Sequence, residues 1–336
     1  LRWLEEERTR QVPALRAPWS RKGWLDGAAE WTRASVEGLG LSVTGPIEQV
    51  KHWDISTVFR VPTLGGDYYF KAAPGIFQHE PRITAELARL YPDAIPAPAA
   101  WTERDGEGWM LMASFGDTVI WDGNLPAMEE ALRMLARMQI DAAGRVDHLL
   151  ASGARDRNLR DLPGQVAALL DDNPSPSMLE QEQVEKLRAL LPAIERECER
   201  LAAGPIPQTL MHGDFHGGNI ALAGGRPIIF DWTDACIAHP FFDLATVLDT
   251  DNAPEKPEDA ERLRDAYLGE WSAYGSPEEL REAFGAAYRL APLHHAVSYA
   301  QINAIAEQAM LADLGTALPY FLELFLKGFG QAARVD

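Results

Sequence analysis

A short segment in the second half of the chain gathers polar side chains that could bind a metal ion and move a proton. Residues 209–232 read TLMHGDFHGGNIALAGGRPIIFDW. A short apolar strand leads into the polar, glycine-rich loop His212–Gly218. Two apolar runs then flank Gly224-Gly225-Arg226, which predicts a β-hairpin. The polar loop and the open end of this hairpin should therefore lie side by side.

The predicted hairpin brings Asn219 and Asp231 together at its open end. A three-residue turn pairs the two residues directly, whereas a two-residue turn makes them diagonal neighbours, about 7–8 Å apart. Amide and carboxylate oxygens suit Mg²⁺, which usually keeps several waters and binds substrate phosphates. Asp214, in the adjoining loop, could accept the proton of an attacking hydroxyl group. An aspartate base followed by an Asn and an Asp on metal is the arrangement used in phosphoryl transfer.

Two histidines of the loop allow a different interpretation. His212 and His216, with Asp214 between them, could belong to a zinc site, because imidazole is a common zinc ligand. The nearest further histidine in sequence is His239, but the Pro-Phe-Phe that follows it indicates packing. A zinc hydrolase therefore stays as an alternative.

Composition narrows the function classes. The chain has 336 residues, 46% of them hydrophobic, and a formal charge of −19. This length and composition are typical of one bilobal globular unit or two domains. The negative charge disfavours nucleic acid and anionic membranes as partners. It would favour a cationic substrate or divalent metals, or it only aids solubility. There are only two cysteines and no apolar run of about 18 residues, so we expect a cytoplasmic protein. We expect it to be a monomer or a homodimer.

The pattern of elements predicts an α+β protein with two lobes. Apolar residues recur at helical spacing in 24–39 and 80–90, and strand-like runs occur at 57–61, 67–71 and 109–112. Residues 1–115 are therefore predicted to form a small strand-rich N-lobe. Residues 116–336 are predicted to form a larger, mainly helical C-lobe that contains the polar loop. Its helices are expected at 127–140, 162–170, 178–201, 258–274, 277–288 and 290–311.

The motif H-G-D-x-H-x-x-N, followed by I-x-F-D-W, resembles the aminoglycoside phosphotransferase and related small-molecule kinase family. Members of this family have a bilobal, protein-kinase-like fold, and the resemblance covers roughly residues 45–248. It implies ATP or GTP as co-substrate and Mg²⁺ as cofactor. Asp214 would be the catalytic base, Asn219 and Asp231 would hold Mg²⁺, and His212 would brace the loop.

The resemblance also covers the N-lobe. It implies that Lys71 contacts the nucleotide phosphates and that Glu80 fixes this lysine by an ion pair, with Glu86 as a competing partner. Residues 51–57 contain no glycine, unlike the glycine-rich loop of protein kinases. Ser56 and backbone N–H groups are therefore expected to cover the phosphates.

Further residues follow from the same resemblance. Met112 and Ser114 lie in the expected hinge at 112–115, whose backbone groups would bind the base. Asp243 is expected to support the catalytic loop.

The acceptor pocket is expected among the C-terminal helices. His216, His295 and Tyr299 are its candidate residues. The histidines and tyrosine of the 294–307 segment could equally form one polar face of a surface helix.

The predicted function is transfer of the γ-phosphate of ATP or GTP to a hydroxyl of a small molecule, with an aminoglycoside-like cation as the first candidate. Choline, homoserine, a methylthioribose-like sugar or a glycated amine are alternative acceptors. A nucleotide-binding scaffold without catalysis is the alternative from another class.

Overall fold

The computed structural model describes residues 13–53, 55–116, 119–120, 124–172, 179–249, 253–307, 311 and 314–332. The α-helices are α1 Trp24–Gly38, α2 Glu80–Leu90, α3 Leu125–Ala142, α4 Val146–Ala151, α5 Leu162–Asp172, α6 Gln181–Ala202, α7 Phe241–Val247, α8 Pro257–Glu270, α9 Pro277–Ile305 and α10 Ala317–Ala332. The strands are β1 Glu48–His52, β2 Thr57–Thr63, β3 Gly66–Ala73, β4 Ala100–Arg104, β5 Glu107–Ala113, β6 Arg155–Asp156, β7 Thr209–Met211, β8 Ile220–Ala223, β9 Arg226–Ile229 and β10 Cys236–Ala238.

The first five strands form one antiparallel sheet in the order β1-β2-β3-β5-β4. Side chains alternate between its two faces because a strand has a period of two residues. One face packs under α1 through an aromatic cluster in which Trp24 and Phe70 both contact Trp109, with ring centroids 5.6 and 5.5 Å apart. The opposite face is left to line the cleft.

Helix α2 covers the end of the sheet next to the cleft. Its apolar side chains Ile83 and Leu87, four residues apart on one helical face, are fully buried. Glu80 begins the helix and is 1% exposed, although it is a carboxylate. Packing of α2 therefore fixes the direction in which Glu80 points.

The rest of the chain is mainly helical, with two small β elements. Strands β6, β10 and β7 form a three-stranded sheet, and β8 and β9 form the predicted hairpin. The loop Gly213–Asn219 runs from β7 to β8, so these elements hold both of its ends. No described helix has the length and apolar character that a membrane span requires.

The prediction of two helices at 277–288 and 290–311 was wrong. A single helix, α9, runs from Pro277 to Ile305 with Pro292 inside it. A proline normally interrupts a helix because it lacks an N–H group and crowds the preceding turn. Burial of the residues around it, including Leu290 and Leu293 at 0% exposure, maintains the helix through this point.

A small apolar cluster joins the sheet to the helical part. It contains Ala73 and Phe77 from the sheet side and Ile302 from α9, all at most 5% exposed, with Tyr299 packed against them. Ala73 is two residues beyond Lys71 on β3. The cluster therefore fixes the spacing across the cleft close to the polar residues described next.

Candidate active site

Lys71 on β3 lies between two carboxylates from opposite sides of the cleft. Its Nζ is 2.6 Å from Oε1 of Glu80 and 2.7 Å from Oδ1 of Asp231. It also donates to Oγ1 of Thr233 at 3.0 Å. The Lys71 side chain is only 13% exposed. The lysine thus links the sheet, α2 and the segment after β9.

The competing glutamate on α2 has other partners. Glu86 accepts hydrogen bonds from Arg89 and lies 2.6 Å from the imidazole of His148, away from the cleft. Six residues separate it from Glu80, so the two side chains leave α2 in different directions. The expected pair of Lys71 with Glu80 is therefore the one found.

Burial and neighbouring charges act in opposite directions on the pKa values of Lys71, Glu80 and Asp231. Burial disfavours the charge of Lys71, but the carboxylates of Asp231 and Glu80 outweigh it and raise the pKa of the lysine. Burial raises the pKa of Glu80 to about 7, despite the opposing charge of Lys71. For Asp231, the effect of burial is overcome by Lys71 and Thr233, so the pKa of this carboxyl falls well below its usual range. Asp231 is therefore ionised at neutral pH.

The loop after β7 carries Asp214. Its side chain is about half exposed, at 51%. Asn219 donates from Nδ2 to the backbone oxygen and to Oδ2 of Asp214, at 2.9 and 3.1 Å. Nε2 of His216 lies 3.4 Å from the same Oδ2, and its Nδ1 accepts from the N–H of Gly218 at 3.0 Å. Burial would raise the pKa of Asp214, but His216 and His212 hold it below its usual value.

His212 connects the loop to the hairpin. It is fully buried, its Nδ1 accepts from the N–H of Asp214 at 3.3 Å, and its Nε2 donates to the carbonyl of Phe230 at 3.0 Å. Burial lowers the pKa of this imidazole, which favours the neutral form. Both ring nitrogens are engaged in hydrogen bonds, so neither is left to bind zinc. The described residues contain no group of three or more His, Cys, Asp or Glu side chains arranged around a metal site.

Asp243, at the start of α7, holds the base of the loop. Its Oδ2 accepts from the N–H of His212 at 2.8 Å and from Gln139 at 2.9 Å, and its Oδ1 accepts from the N–H of Gly213 at 2.9 Å. Burial raises the pKa of Asp243 to about 7. The carboxyl is completely buried, so its contacts position the loop and do not reach a substrate.

The hairpin has a two-residue turn at Gly224-Gly225. Ala223 pairs with Arg226 and Ile220 with Ile229, and the N–H of Phe230 donates to the carbonyl of Asn219 at 3.0 Å. Of the two predicted turns, the two-residue one is therefore present. The expectation that this turn makes Asn219 and Asp231 diagonal neighbours was wrong, because Asn219 lies opposite Phe230 and Asp231 is only one residue further along, whereas diagonal neighbours are offset by two. Asp231 adopts a left-handed backbone conformation with φ 64°, which a non-glycine residue rarely does.

These two side chains have the chemistry that a magnesium ion needs. Asn219 uses its Nδ2 for Asp214, which leaves its Oδ1 as an acceptor. Asp231 uses Oδ1 for Lys71 and Thr233, which leaves its Oδ2. Within the described ranges, no donor reaches either remaining oxygen. One neutral and one anionic oxygen are thus free for a hard cation.

A cavity of about 390 Å³ separates the sheet from the hairpin. Lys71 and Asp231 lie at one end of it and the hinge segment at the other. Its lining residues are Lys51, Ser56, Val58, Tyr69, Lys71, Met110, Met112, Ser114, Phe115, Gly116, Val119, Ala221, Phe230 and Asp231. The expected nucleotide residues Ser56, Met112 and Ser114 therefore face the same space as Lys71.

The hinge geometry refines the expected base contact. The N–H of Ser114 already donates to the carbonyl of Asp67 at 2.9 Å. Because this bond flanks the pair of Tyr68 with Ala113, the backbone groups of Ala113 point away from β3. They lie beyond the end of β4, which begins at Ala100 opposite Leu111. Ala113 therefore has the N–H and carbonyl best placed for a base.

The candidate acceptor residues lie along one face of α9. His295 and Tyr299 both stack on Phe321 of α10, at centroid distances of 4.8 and 5.6 Å. Burial lowers the pKa of His295 and raises that of Tyr299 to about 12, and the charge of Asp214 acts to raise both. The alternative of a polar surface face was wrong for the two histidines, because His294 is 3% and His295 8% exposed.

A second cavity, of about 240 Å³, adjoins His295. It lies between α7, α9 and α10 and is mostly apolar. Its lining residues are Ala245, Thr246, Asp249, Tyr288, Arg289, Ala291, Pro292, His295, Phe321, Leu324, Lys327 and Gly328. His295 contacts Thr246 at 3.0 Å.

Sequence reasoning missed three residues of the site. Thr233 bonds both Lys71 and Asp231, and the D-W-T stretch after β9 was the available signal. Asp234 pairs with Arg155 at 2.8 Å, and burial raises its pKa to about 6. A further lysine of the cavity, Lys51, is taken up below.

Comparison with known proteins identifies the fold. The first of three solved structures is a macrolide 2′-phosphotransferase type I, with 16% identity, 86% of this chain and 96% of that chain covered, and a TM-score of 0.59. For a Plasmodium vivax ethanolamine kinase the values are 13%, 88%, 85% and 0.61. For a spectinomycin phosphotransferase in complex with ADP and spectinomycin they are 14%, 88%, 94% and 0.56. The predicted α+β, protein-kinase-like fold is confirmed.

The sequence itself provides the family. None of the functionally curated proteins matches it significantly. A family model described as the phosphotransferase enzyme family matches residues 47–297, about three quarters of the chain, from β1 to α9. The chain belongs to this phosphotransferase family and is a small-molecule kinase.

Proposed function

We propose that this protein transfers the γ-phosphate of ATP or GTP to a hydroxyl group of a small molecule. The observation that carries the proposal is that Lys71 pairs with Asp231 at the cleft cavity, while the loop of Asp214 is bonded through His212 to Phe230, which lines the same cavity. The complex of the related spectinomycin phosphotransferase with ADP supports a nucleotide in this cleft.

The residues divide the work in a simple order. Lys71 neutralises phosphate oxygens of the nucleotide, and Glu80 keeps its ammonium in place. The acceptor hydroxyl donates a hydrogen bond to Asp214, which takes the proton as the new O–P bond forms. The bond from the γ-phosphorus to the bridging oxygen breaks, and the nucleoside diphosphate leaves. A base with a lowered pKa is ionised at neutral pH and ready to accept this proton.

Two oxygens would hold the magnesium ion, Oδ1 of Asn219 and Oδ2 of Asp231. When bound, Mg²⁺ neutralises the charge of the phosphates and of the developing transition state. His212 and Asp243 fix the loop on which this arrangement depends. Catalysis therefore rests on positioning and charge.

The acceptor is proposed to be a small hydroxyl compound that carries an amine. The net charge of −19 and the half-exposed carboxylate of Asp214 favour a cation. The mostly apolar cavity beside His295 and Phe321 favours an apolar body. Amino sugars, amino alcohols and macrolides are thus the first compounds to test.

The two cysteines are buried and unpaired, which fits the expected cytoplasmic location.

Two substitutions test the mechanism. Asp214→Ala should lower kcat by about 10²–10⁴ while leaving nucleotide affinity nearly unchanged, because only the proton acceptor is lost. Asp231→Ala should remove the Mg²⁺ dependence of nucleotide binding. Asp93→Ala, whose side chain is 86% exposed, is the matched control. Transfer is followed by nucleoside diphosphate release and by mass spectrometry of the product, with ATP and GTP, across the three acceptor classes.

The outcomes separate the alternatives. Unchanged turnover in both variants would overturn the mechanism. Nucleotide binding without transfer to any acceptor or to water would support the non-catalytic scaffold instead.

A further inference from the structure

The loop over the phosphates has an unusual composition for its place in the cleft. Residues 51–57 read KHWDIST, so no glycine lets the backbone approach the phosphates closely. The N–H of Trp53 donates to the carbonyl of Ser56 at 2.9 Å. Besides Ser56 and backbone N–H groups, charged side chains can then contribute to binding the phosphates.

A β-bulge places a lysine on the cleft face of the sheet. Gln49 pairs with Phe59 and Lys51 with Val58, so Val50 is an extra residue in β1. Without this bulge, Val50 would oppose Val58, and the side chain of Lys51 would be on the opposite face of the sheet. The hydroxyl of Thr57 donates to the carbonyl of Lys51 at 3.1 Å and stabilises the observed register.

The register creates a row of side chains across three strands. Val58 pairs with Lys51 on one side and with Lys71 on the other, and Lys71 pairs with Met110. Directly paired residues of an antiparallel sheet share a face, and all four of these line the cleft cavity. With neighbouring strands about 4.8 Å apart, the two lysines start roughly 10 Å from each other and converge on one space.

The two ammonium groups differ in their surroundings. Lys71 is neutralised by Glu80 and Asp231. Lys51 meets no carboxylate within 4.0 Å among the described residues, and its Nζ lies 4.8 Å from the ring centre of Trp53. A cation over an aromatic face is held without losing its charge.

We propose that Lys51 is a second phosphate-binding cation, which takes the outer phosphates of the nucleoside triphosphate in place of a glycine-rich loop. This inference rests on the proposed function, since it needs a nucleotide in the cleft. The charge of Lys71 is already partly balanced by Glu80 and Asp231, so Lys51 adds the further positive charge that a triphosphate requires. Trp53 is its positioning residue.

Binding measurements separate a phosphate contact from a general effect on the fold. The probes are MgATP, MgADP and adenosine, with MgGTP, MgGDP and guanosine for the other base, measured by calorimetry on the full chain. Lys51→Met should weaken the triphosphate about tenfold and the diphosphate less, and should leave the nucleoside unchanged, because a hydrogen bond to a charged group is lost. Lys51→Arg should retain most of the affinity. Lys186→Met, on the surface of α6, is the matched control.

Each outcome has a defined meaning. Equal weakening of nucleoside and triphosphate, or no change in the triphosphate, would overturn the role of Lys51. Lys71→Met distinguishes this from failure of the proposed function. Suppose the parent binds MgATP or MgGTP, and Lys71→Met weakens this binding but Lys51→Met does not. In that case only the inference about Lys51 is wrong. If the parent binds neither nucleotide, the proposed function is wrong as well.

Discussion

Glu80 shows how a single buried carboxyl can control the state of a lysine. It is 1% exposed and lies 2.6 Å from Lys71, yet burial raises its pKa to about 7. Near neutral pH the carboxyl is therefore divided between its two protonation states. Only the ionised form makes a charged pair with Lys71, so the position of the ammonium depends on pH.

Glu80→Gln is expected to raise the KM for the nucleotide, with an effect that grows with pH. At pH 6 the parent is largely protonated at Glu80 and resembles the glutamine variant. At pH 8 the parent is ionised, and the variant should be about tenfold worse, since a charge-assisted bond is lost. Steady-state kinetics at pH 6, 7 and 8 measure this ratio.

Glu86→Gln is the control on the same helix. Its partners Arg89 and His148 lie away from the cleft, so the KM should change by less than about twofold at every pH. A ratio for Glu80→Gln that stays constant from pH 6 to 8 would contradict the raised pKa.

Unfolding in urea gives a second measurement of the pKa of Glu80. Folded Glu80 keeps its proton up to about pH 7, but the unfolded carboxyl loses it near 4.5, so the parent should lose stability relative to the variant as pH rises between these values.

At the scale of elements, the catalytic loop is held from three directions. His212 bonds the end of the hairpin, Asp243 of α7 accepts the loop N–H groups, and the segment after β9 closes against Gly213. Gly213 has φ +88°, and a Cβ there would lie 2.6 Å from the backbone oxygen of Asp234. The loop therefore has no room to shift without moving Asp214.

Gly213→Ala is expected to lower kcat by at least about 100-fold, because a displacement of about 1 Å in a catalytic group costs this much. The positive φ should also cost roughly 1–3 kcal/mol of stability. Gly269→Ala in α8 is the control, since a Cβ there meets nothing within 4 Å, and it should be neutral or slightly stabilising. Full activity of Gly213→Ala with an unchanged melting temperature would refute this account of the loop.

The elements also show what sequence can and cannot predict here. The Gly224-Gly225 pair predicts a hairpin because both residues accept a positive φ, and they have φ values of 58° and 83°. The choice between two registers depends on turn geometry and was settled only by the structure. Local spacing found α2 at 80–90 but split α9 at residue 289, because continuity there comes from tertiary burial. The bulge at Val50, which directs Lys51, leaves no signal in a pattern of hydrophobicity.

At the scale of the whole molecule, the two parts are connected through residues outside or at the edge of the family match. Ile302 lies beyond residue 297, where the match ends, and packs with Ala73 and Phe77 across the cleft. Arg16, before α1, forms an ion pair with Glu307, just after α9. These contacts hold the sheet against the helical part, so the distance from Lys71 to Asp231 depends on them.

Ile302→Ala is expected to lower the free energy of unfolding by about 2–5 kcal/mol and also to raise the KM for the nucleotide several-fold. The kinetic effect follows because a cavity at this point loosens the packing of α9 against Ala73 of β3. Ala73 is two residues beyond Lys71, so the lysine should be held less firmly. Ile206→Ala is the matched control, since Ile206 is equally buried, at 3% against 5%, but lies within the helical part alone. It should lose similar stability in urea unfolding with no change in KM at temperatures where both variants are folded. If the two variants share one KM, the cluster at Ile302 contributes to stability only and does not set the geometry of the cleft.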